Sequence, residues 1–154
     1  MNFFFDSHIF FVYLYYFCKI YYEIMNIETP SKIYIANSPI HGLGVFAKSV
    51  ISEGEVIEIC PVIDMGLNRE VSPILIDYRF NWPQGHDWVT QVIPAGYAML
   101  YNHSNKANAG WRSIEENMTF EFYATREINP GEEIFVYYGD VDYWNDGRTN
   151  TNIT

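Results

Sequence analysis

Between residues 31 and 138 the chain is punctuated so often by turn-forming residues that no long helix fits into it. Asn37-Ser38-Pro39, Ile51-Ser52-Glu53-Gly54-Glu55, Pro94-Ala95-Gly96 and Asn129-Pro130-Gly131-Glu132 each combine residues that pre-set or permit turn geometry. The stretches between them are short and rich in Val, Ile, Tyr and Phe, which suit a pleated, half-buried surface. Strands are expected at residues 31–36, 45–47, 56–63, 88–94, 97–100, 118–125 and 134–138. Pro61 places its strand at an edge or a bulge. Residues 68–80 hold a short helix at most, since Pro73 limits it. No repeat and no long helical period is present, so the pattern alone describes a mainly-β domain.

A chain of 154 residues fits one domain, and 49% apolar with 18% aromatic content is enough to bury a core. The formal net charge of -10 repels phosphate backbones and argues against direct nucleic-acid binding. It suits a basic protein partner, although solubility alone also accounts for it. Glu53, Glu55, Glu58, Glu115 and Glu116 are read as such an acidic surface. Two cysteines, Cys18 and Cys60, make neither a disulfide framework nor a Cys-only zinc site. His8, His41, His86 and His103 lack metal-ligand spacing, so no metal is expected. The cysteine usage suits a reducing, intracellular compartment, nuclear or cytoplasmic.

Residues 1–24 are almost all aromatic or aliphatic, and three readings compete. A secretory signal would need a basic start and a small-residue cleavage site, which are missing. A membrane-associated segment is interrupted by Lys19 and Glu23. A mis-assigned start would put the first residue at Met25, where composition changes sharply. The membrane becomes a partner only if residues 1–24 are translated and insert. The extension is set aside, leaving a domain over residues 31–144 and a polar tail over 145–154. Asn102, Asn117 and Asn152 head Asn-x-Ser/Thr triplets that matter only in a secreted protein.

Three motifs carry chemistry. His41-Gly42-Leu43-Gly44-Val45-Phe46 places two glycines around one residue, which lets backbone approach a ligand. It lacks the third glycine of a dinucleotide fingerprint and the Gly-Lys-Ser/Thr of a P-loop. Tyr101-Asn102-His103-Ser104, followed by Asn108, offers directional donors and acceptors at a strand end. Asn129-Pro130-Gly131-Glu132-Glu133 leads through a strand to Tyr137-Tyr138-Gly139-Asp140, then Tyr143-Trp144. Each has a plain reading when taken singly: a glycine turn, a polar loop, a core tyrosine.

Together, in this order and at this separation, the motifs resemble those of SET-domain lysine methyltransferases, over about residues 33–144. The likeness is greatest to the short stand-alone SET proteins of large DNA viruses and bacteria. Asp77-Tyr78-Arg79-Phe80 is similar to their middle tyrosine motif. Three departures stand out. Asn105 and Ala107 replace a frequent Cys and Pro, a tyrosine of the second strand is replaced near Ile59 and Cys60, and no zinc-binding tail follows. The second departure bears on how many methyl groups are added.

The resemblance implies a β-clip-like SET fold with a C-terminal pseudoknot and few short helices. It implies S-adenosylmethionine as cofactor, S-adenosylhomocysteine as product, and a lysine on a basic protein such as a histone tail as substrate. His41, Gly42, Leu43, Gly44, Tyr78, Asn102, His103 and Trp144 would hold the cofactor. Tyr138 would be catalytic, and Tyr101, Tyr137 and Tyr143 would line the lysine channel. A neutral amine would attack in line, its deprotonation helped by the cofactor's positive charge and a dry channel. A homodimer and a catalytically inactive SET-like binding module also follow from the likeness.

Overall fold

The structure is a computed structural model, and it describes residues 27–66, 73–85 and 89–139. Among the described residues nine short strands form two sheets. The first two, β1 (Ile33–Asn37) and β2 (Leu43–Ala47), make an antiparallel hairpin. Its loop closes with Ser38 N–H donating to the Gly42 carbonyl at 2.9 Å, and Gly42 supplies the positive φ of 53°. The register pairs Ile33 with Ala47 and Ile35 with Val45. Ile33, Val45 and Ala47 are buried, whereas Tyr34 and Phe46 stack on the other face at 5.6 Å.

The second sheet has the order β4-β5-β3-β8-β7, with β3 (Val56–Asp64), β4 (Phe80–Trp82), β5 (Thr90–Pro94), β7 (Ala109–Ile114) and β8 (Thr119–Ala124). Its inner face is aromatic. Phe120 and Phe122 are fully buried, and Phe80, Trp82 and Trp111 pack around Phe120 at centroid distances of 5.4, 5.0 and 4.9 Å. The β7–β8 hairpin turns through a 3-10 helix at Glu115–Asn117, and Met118 takes a left-handed φ of 52°. The first sheet is completed by β6 (Asn102–His103) and β9 (Glu133–Val136), in the order β1-β2-β9-β6.

Several expectations need correction. Residues 97–100 are not a strand: Ala98–Leu100 is a 3-10 helix. Gly96 turns the chain there at φ 103°, and the Tyr97 N–H goes to the Glu58 carboxylate instead of a neighbouring strand. Pro61 lies in the central strand β3, where pairing passes from β8 to β5, and the bulge sits earlier, between Val56 and Glu58. Pro61 is tolerated because it ends the β8 register opposite Thr119, and its carbonyl accepts Ala95 N–H at 2.8 Å. The helix expected within 68–80 is a 3-10 helix at Pro73–Tyr78. Strands β4, β6 and β7 escape sequence reading. The first two are too short for a period, and β7 carries only one β-branched residue, Ile114. Residues 1–24, His86, Trp88, Tyr143, Trp144 and the 145–154 tail lie outside the described residues.

Phe120 is the hub of the aromatic cluster, so Phe120→Ala should cost about 3–5 kcal/mol of stability, as large-to-small core changes do. Urea unfolding monitored by tryptophan fluorescence measures it, and a loss below about 1 kcal/mol would show that the cluster collapses around the cavity.

Candidate active site

The site is built where β6 and β9 pair in parallel, Asn102 opposite Phe135 and His103 opposite Val136. Parallel neighbours cannot be joined by a tight turn, so the corner is assembled from chain ends that are distant in sequence. Asn108, 1% exposed, clamps β9 like an extra strand. Its Nδ2 donates to the Glu133 carbonyl at 2.9 Å, and its Oδ1 accepts the Phe135 N–H at 2.7 Å. Beyond that, Ser104 N–H donates to the Val136 carbonyl at 3.2 Å.

Past the end of β9 the Tyr138 N–H donates to His103 Nδ1 at 3.1 Å. That nitrogen therefore carries no proton in the neutral ring, and the ring hydrogen sits on Nε2. Asn105 Oδ1 accepts it at 3.2 Å. The asparagine that departs from the expected cysteine thus fixes the tautomer. Burial holds the His103 pKa below the ordinary histidine value, with the Asn105 hydrogen bond opposing it weakly. The Tyr138 ring lies 5.3 Å from the imidazole, and its hydroxyl donates to the Tyr101 carbonyl at 2.5 Å. Tyr138 and the Asn102–His103 corner are thereby joined at both ends of the tyrosine.

A buried carboxylate organises the other side. Glu133, 8% exposed, accepts Asn102 Nδ2 on Oε1 at 2.8 Å and the Ser38 hydroxyl on Oε2 at 3.0 Å. Asn102 Nδ2 also donates to the carbonyls of His41 and Leu43, at 3.2 and 3.1 Å. Ser38 Oγ in turn accepts the Ile40 N–H at 3.0 Å. The two glycines of the loop differ in their reasons. A Cβ on Gly44 would lie 2.2 Å from Glu133 Oε1, so Gly44 makes room for the carboxylate. A Cβ on Gly42 would meet none of the described residues within 4 Å, so among them nothing covers that backbone. Sequence reading placed Glu133 neither in the turn over 129–132 nor in the strand over 134–138. The missed signal is its alternation in β9, which turns it onto the same sheet face as Asn102.

The chain matches the SET domain family over residues 42–139, a span that holds the glycine loop, the Asn-His corner and Tyr138. This protein is a member of the SET-domain family. A Schizosaccharomyces pombe relative, "Histone-lysine N-methyltransferase, H3 lysine-37 specific", is 30% identical over 127 residues, 79% of this chain and 83% of the relative. A Plasmodium falciparum structure, described as a "putative histone methyltransferase", matches with a TM-score of 0.62 at 34% identity, over 76% of this chain and 99% of that one. A chain of a ctPRC2 complex shares the fold at a TM-score of 0.58 and 22% identity, over 73% of this chain and 15% of that one. The activity of this SET domain is protein-lysine N-methylation with S-adenosylmethionine.

Around the corner of this SET domain the remaining expected residues are spread unevenly. Tyr137 is 44% exposed, with its ring 5.3 Å from His103. Tyr101 is 1% exposed and stacked on Phe122 at 4.9 Å. Its hydroxyl is directed into the core, and what it offers the corner is its backbone carbonyl. His41 and Leu43 are exposed on the loop. Tyr78 is 39% exposed at the end of its 3-10 helix, and no described hydrogen bond or ring contact ties it to Asn102 or His103. Trp144 and Tyr143 lie outside the described residues. Glu58 does not belong to the acidic surface: it is 4% exposed, unlike Glu53, Glu115 and Glu116. Among the described residues no three His, Cys, Asp or Glu side chains come together as a metal site.

The Tyr138–His103 link makes the corner sensitive to acid. A depressed folded pKa means that the unfolded chain binds the His103 proton first. The stabilisation is therefore complete above about pH 6.5, the unfolded histidine value, and is lost as pH falls through the lower folded pKa. The thermal midpoint of the wild type should drop as pH falls below about 6.5, and His103→Asn should flatten that drop. Equal slopes in both proteins would remove His103 as the cause.

Proposed function

We propose that the protein methylates a lysine in a histone tail, with Tyr138 as the residue that orients the reacting groups. The observation that carries this reading is the Tyr138 hydroxyl fixed on the Tyr101 carbonyl beside the His103 ring. Support for the substrate comes from the net charge of -10, which attracts a basic tail. The Schizosaccharomyces pombe relative, named as H3 lysine-37 specific, points the same way. A nuclear or cytoplasmic place of action goes with such a substrate.

The residues fit an extended cofactor. The loop from His41 to Leu43 is exposed, Gly42 leaves its backbone uncovered, and Asn102 holds the loop carbonyls in fixed positions. At Gly139, φ 116°, an added Cβ would meet none of the described residues within 4 Å. S-adenosylmethionine, when bound, supplies an electrophilic methyl group. In the proposed arrangement the loop backbone and the Asn102–His103 strand hold it, Tyr78 contacts its amino-acid end and Trp144 covers the adenine.

The chain's own residues then have a limited task. Lysine has a reference pKa of ~10.4, so its amine must lose a proton before it attacks. Neither titratable neighbour of Tyr138 takes that proton. His103 already uses both ring nitrogens. The Tyr101 phenol is held neutral by burial first and by the Glu58 charge second. The ammonium gives its proton to bulk water before the amine enters, and a dry channel then disfavours return to the charged form. The Tyr138 hydroxyl spends its hydrogen on Tyr101, so its oxygen faces the reactants as an acceptor. Fixed alignment of amine and methyl supplies much of the acceleration.

Tyr138→Phe should lower methyl transfer by about 100-fold or more, because alignment is lost while the cofactor loop is untouched. A radiolabelled-methyl assay on core histones, with cofactor affinity measured by calorimetry, tests both halves. Unchanged turnover removes Tyr138 from the mechanism. Label that enters another basic protein and spares histones reassigns the substrate.

A further inference from the structure

The Tyr101 carbonyl that receives the Tyr138 hydroxyl belongs to a residue held from behind by a second buried carboxylate. Glu58 projects from β3 and is 4% exposed. Its Oε2 accepts the Tyr101 hydroxyl at 3.1 Å, and its Oε1 accepts the Tyr97 N–H at 2.7 Å. Among the described residues none of the ion pairs involves Glu58. A charge in such a place is tolerated only when several donors surround it. Gly96 makes the approach feasible: a Cβ there would lie 2.4 Å from Oε1.

These bonds grip both ends of one short segment. Tyr97 opens the 3-10 helix Ala98–Leu100, and Tyr101 follows it. The next residue, Asn102, begins β6. One carboxylate therefore sets the rise and rotation of the turn that delivers the Tyr101 carbonyl to Tyr138. The chain of contacts runs from Glu58 to the Tyr101 hydroxyl, through the Tyr101 ring and backbone, to the Tyr138 hydroxyl.

We propose that Glu58 is a positioning residue for methyl transfer, acting on Tyr138 through Tyr101. This rests on the role given to Tyr138 above. Glu58 touches no reacting atom. It fixes where the tyrosine hydroxyl points, and a displacement of about 1 Å at a reacting centre can cost roughly 100-fold in rate. Its effect falls on kcat and not on the cofactor loop, which is held by the separate Glu133 network.

The test compares Glu58→Ala, Glu58→Gln and Tyr101→Phe in the full chain, with kcat normalised to cofactor-binding sites. Glu58→Ala should lower kcat about 10- to 100-fold, the range expected for misalignment, with KM for S-adenosylmethionine unchanged. Glu58→Gln retains an acceptor for the Tyr97 N–H and an amide facing the Tyr101 oxygen, and should restore most of kcat. Tyr101→Phe removes only the hydroxyl and should reproduce the Glu58→Ala loss. In that background Glu58→Ala should add less than it costs alone, because only the Tyr97 bond is left to lose.

If Glu58→Ala fails to fold, Tyr101→Phe alone decides. Wild-type kcat in Tyr101→Phe, or fully additive losses in the double variant, overturns the proposal. Tyr138→Phe run alongside separates the two readings. If that variant is inactive while Glu58→Ala and Tyr101→Phe are normal, the positioning role alone fails. If Tyr138→Phe is itself active, the role of Tyr138 fails first.

Discussion

The Glu133 carboxylate is where three distant stretches of this chain meet. One oxygen takes the Ser38 hydroxyl and the other takes the Asn102 amide, which also holds the carbonyls of His41 and Leu43. Hydrogen bonds to an ionised group are stronger than neutral ones, and a buried carboxylate left short of donors is costly. The glycine loop, the Asn-His strand and the last strand are thus held in one geometry or none. Gly44 is part of the same constraint, because only a residue without a side chain leaves the carboxylate its place.

Glu58 repeats the device on the opposite flank. Both carboxylates lie within the fold, each takes up backbone or side-chain donors, and none of the described ion pairs uses either. Ion pairs among the described residues lie towards the surface instead, such as Lys32 with Glu55 at 2.5 Å. Such exposed pairs contribute little to stability. Among the described residues the acidic side chains therefore differ in place. Exposed carboxylates contribute to the long-range field, and the buried Glu58 and Glu133 hold backbone around the Asn102–His103 corner.

Much of the architecture was legible. Turn chemistry located β1, β3, β5, β8 and β9, because alternation and Pro/Gly boundaries are local signals. Tyr138 and the Asn102–His103 corner were legible as motifs, since their order and spacing survive in one dimension. Their contact was not, because parallel pairing of β6 with β9 leaves no local trace. Glu58 was misread as surface for a related reason. A charged residue in a half-apolar strand reads as solvent-facing unless its partners, here Tyr97 and Tyr101, are known. Asn105 read as a departure from the family pattern, yet its carbonyl oxygen fixes the imidazole proton.

The position of β9 inside the first sheet, between β2 and β6, has a consequence for biosynthesis. The ribosome releases strands in order, so β1, β2 and β6 emerge well before the strand that must lie among them. Until then β2 and β6 present unpaired backbone on facing edges, the kind of exposed template that recruits foreign strands. Docking of β9 closes that gap and assembles the tyrosine corner in the same event. On the role proposed for Tyr138, a nascent chain is silent as an enzyme and most open to mispairing in the same interval, and both conditions end together.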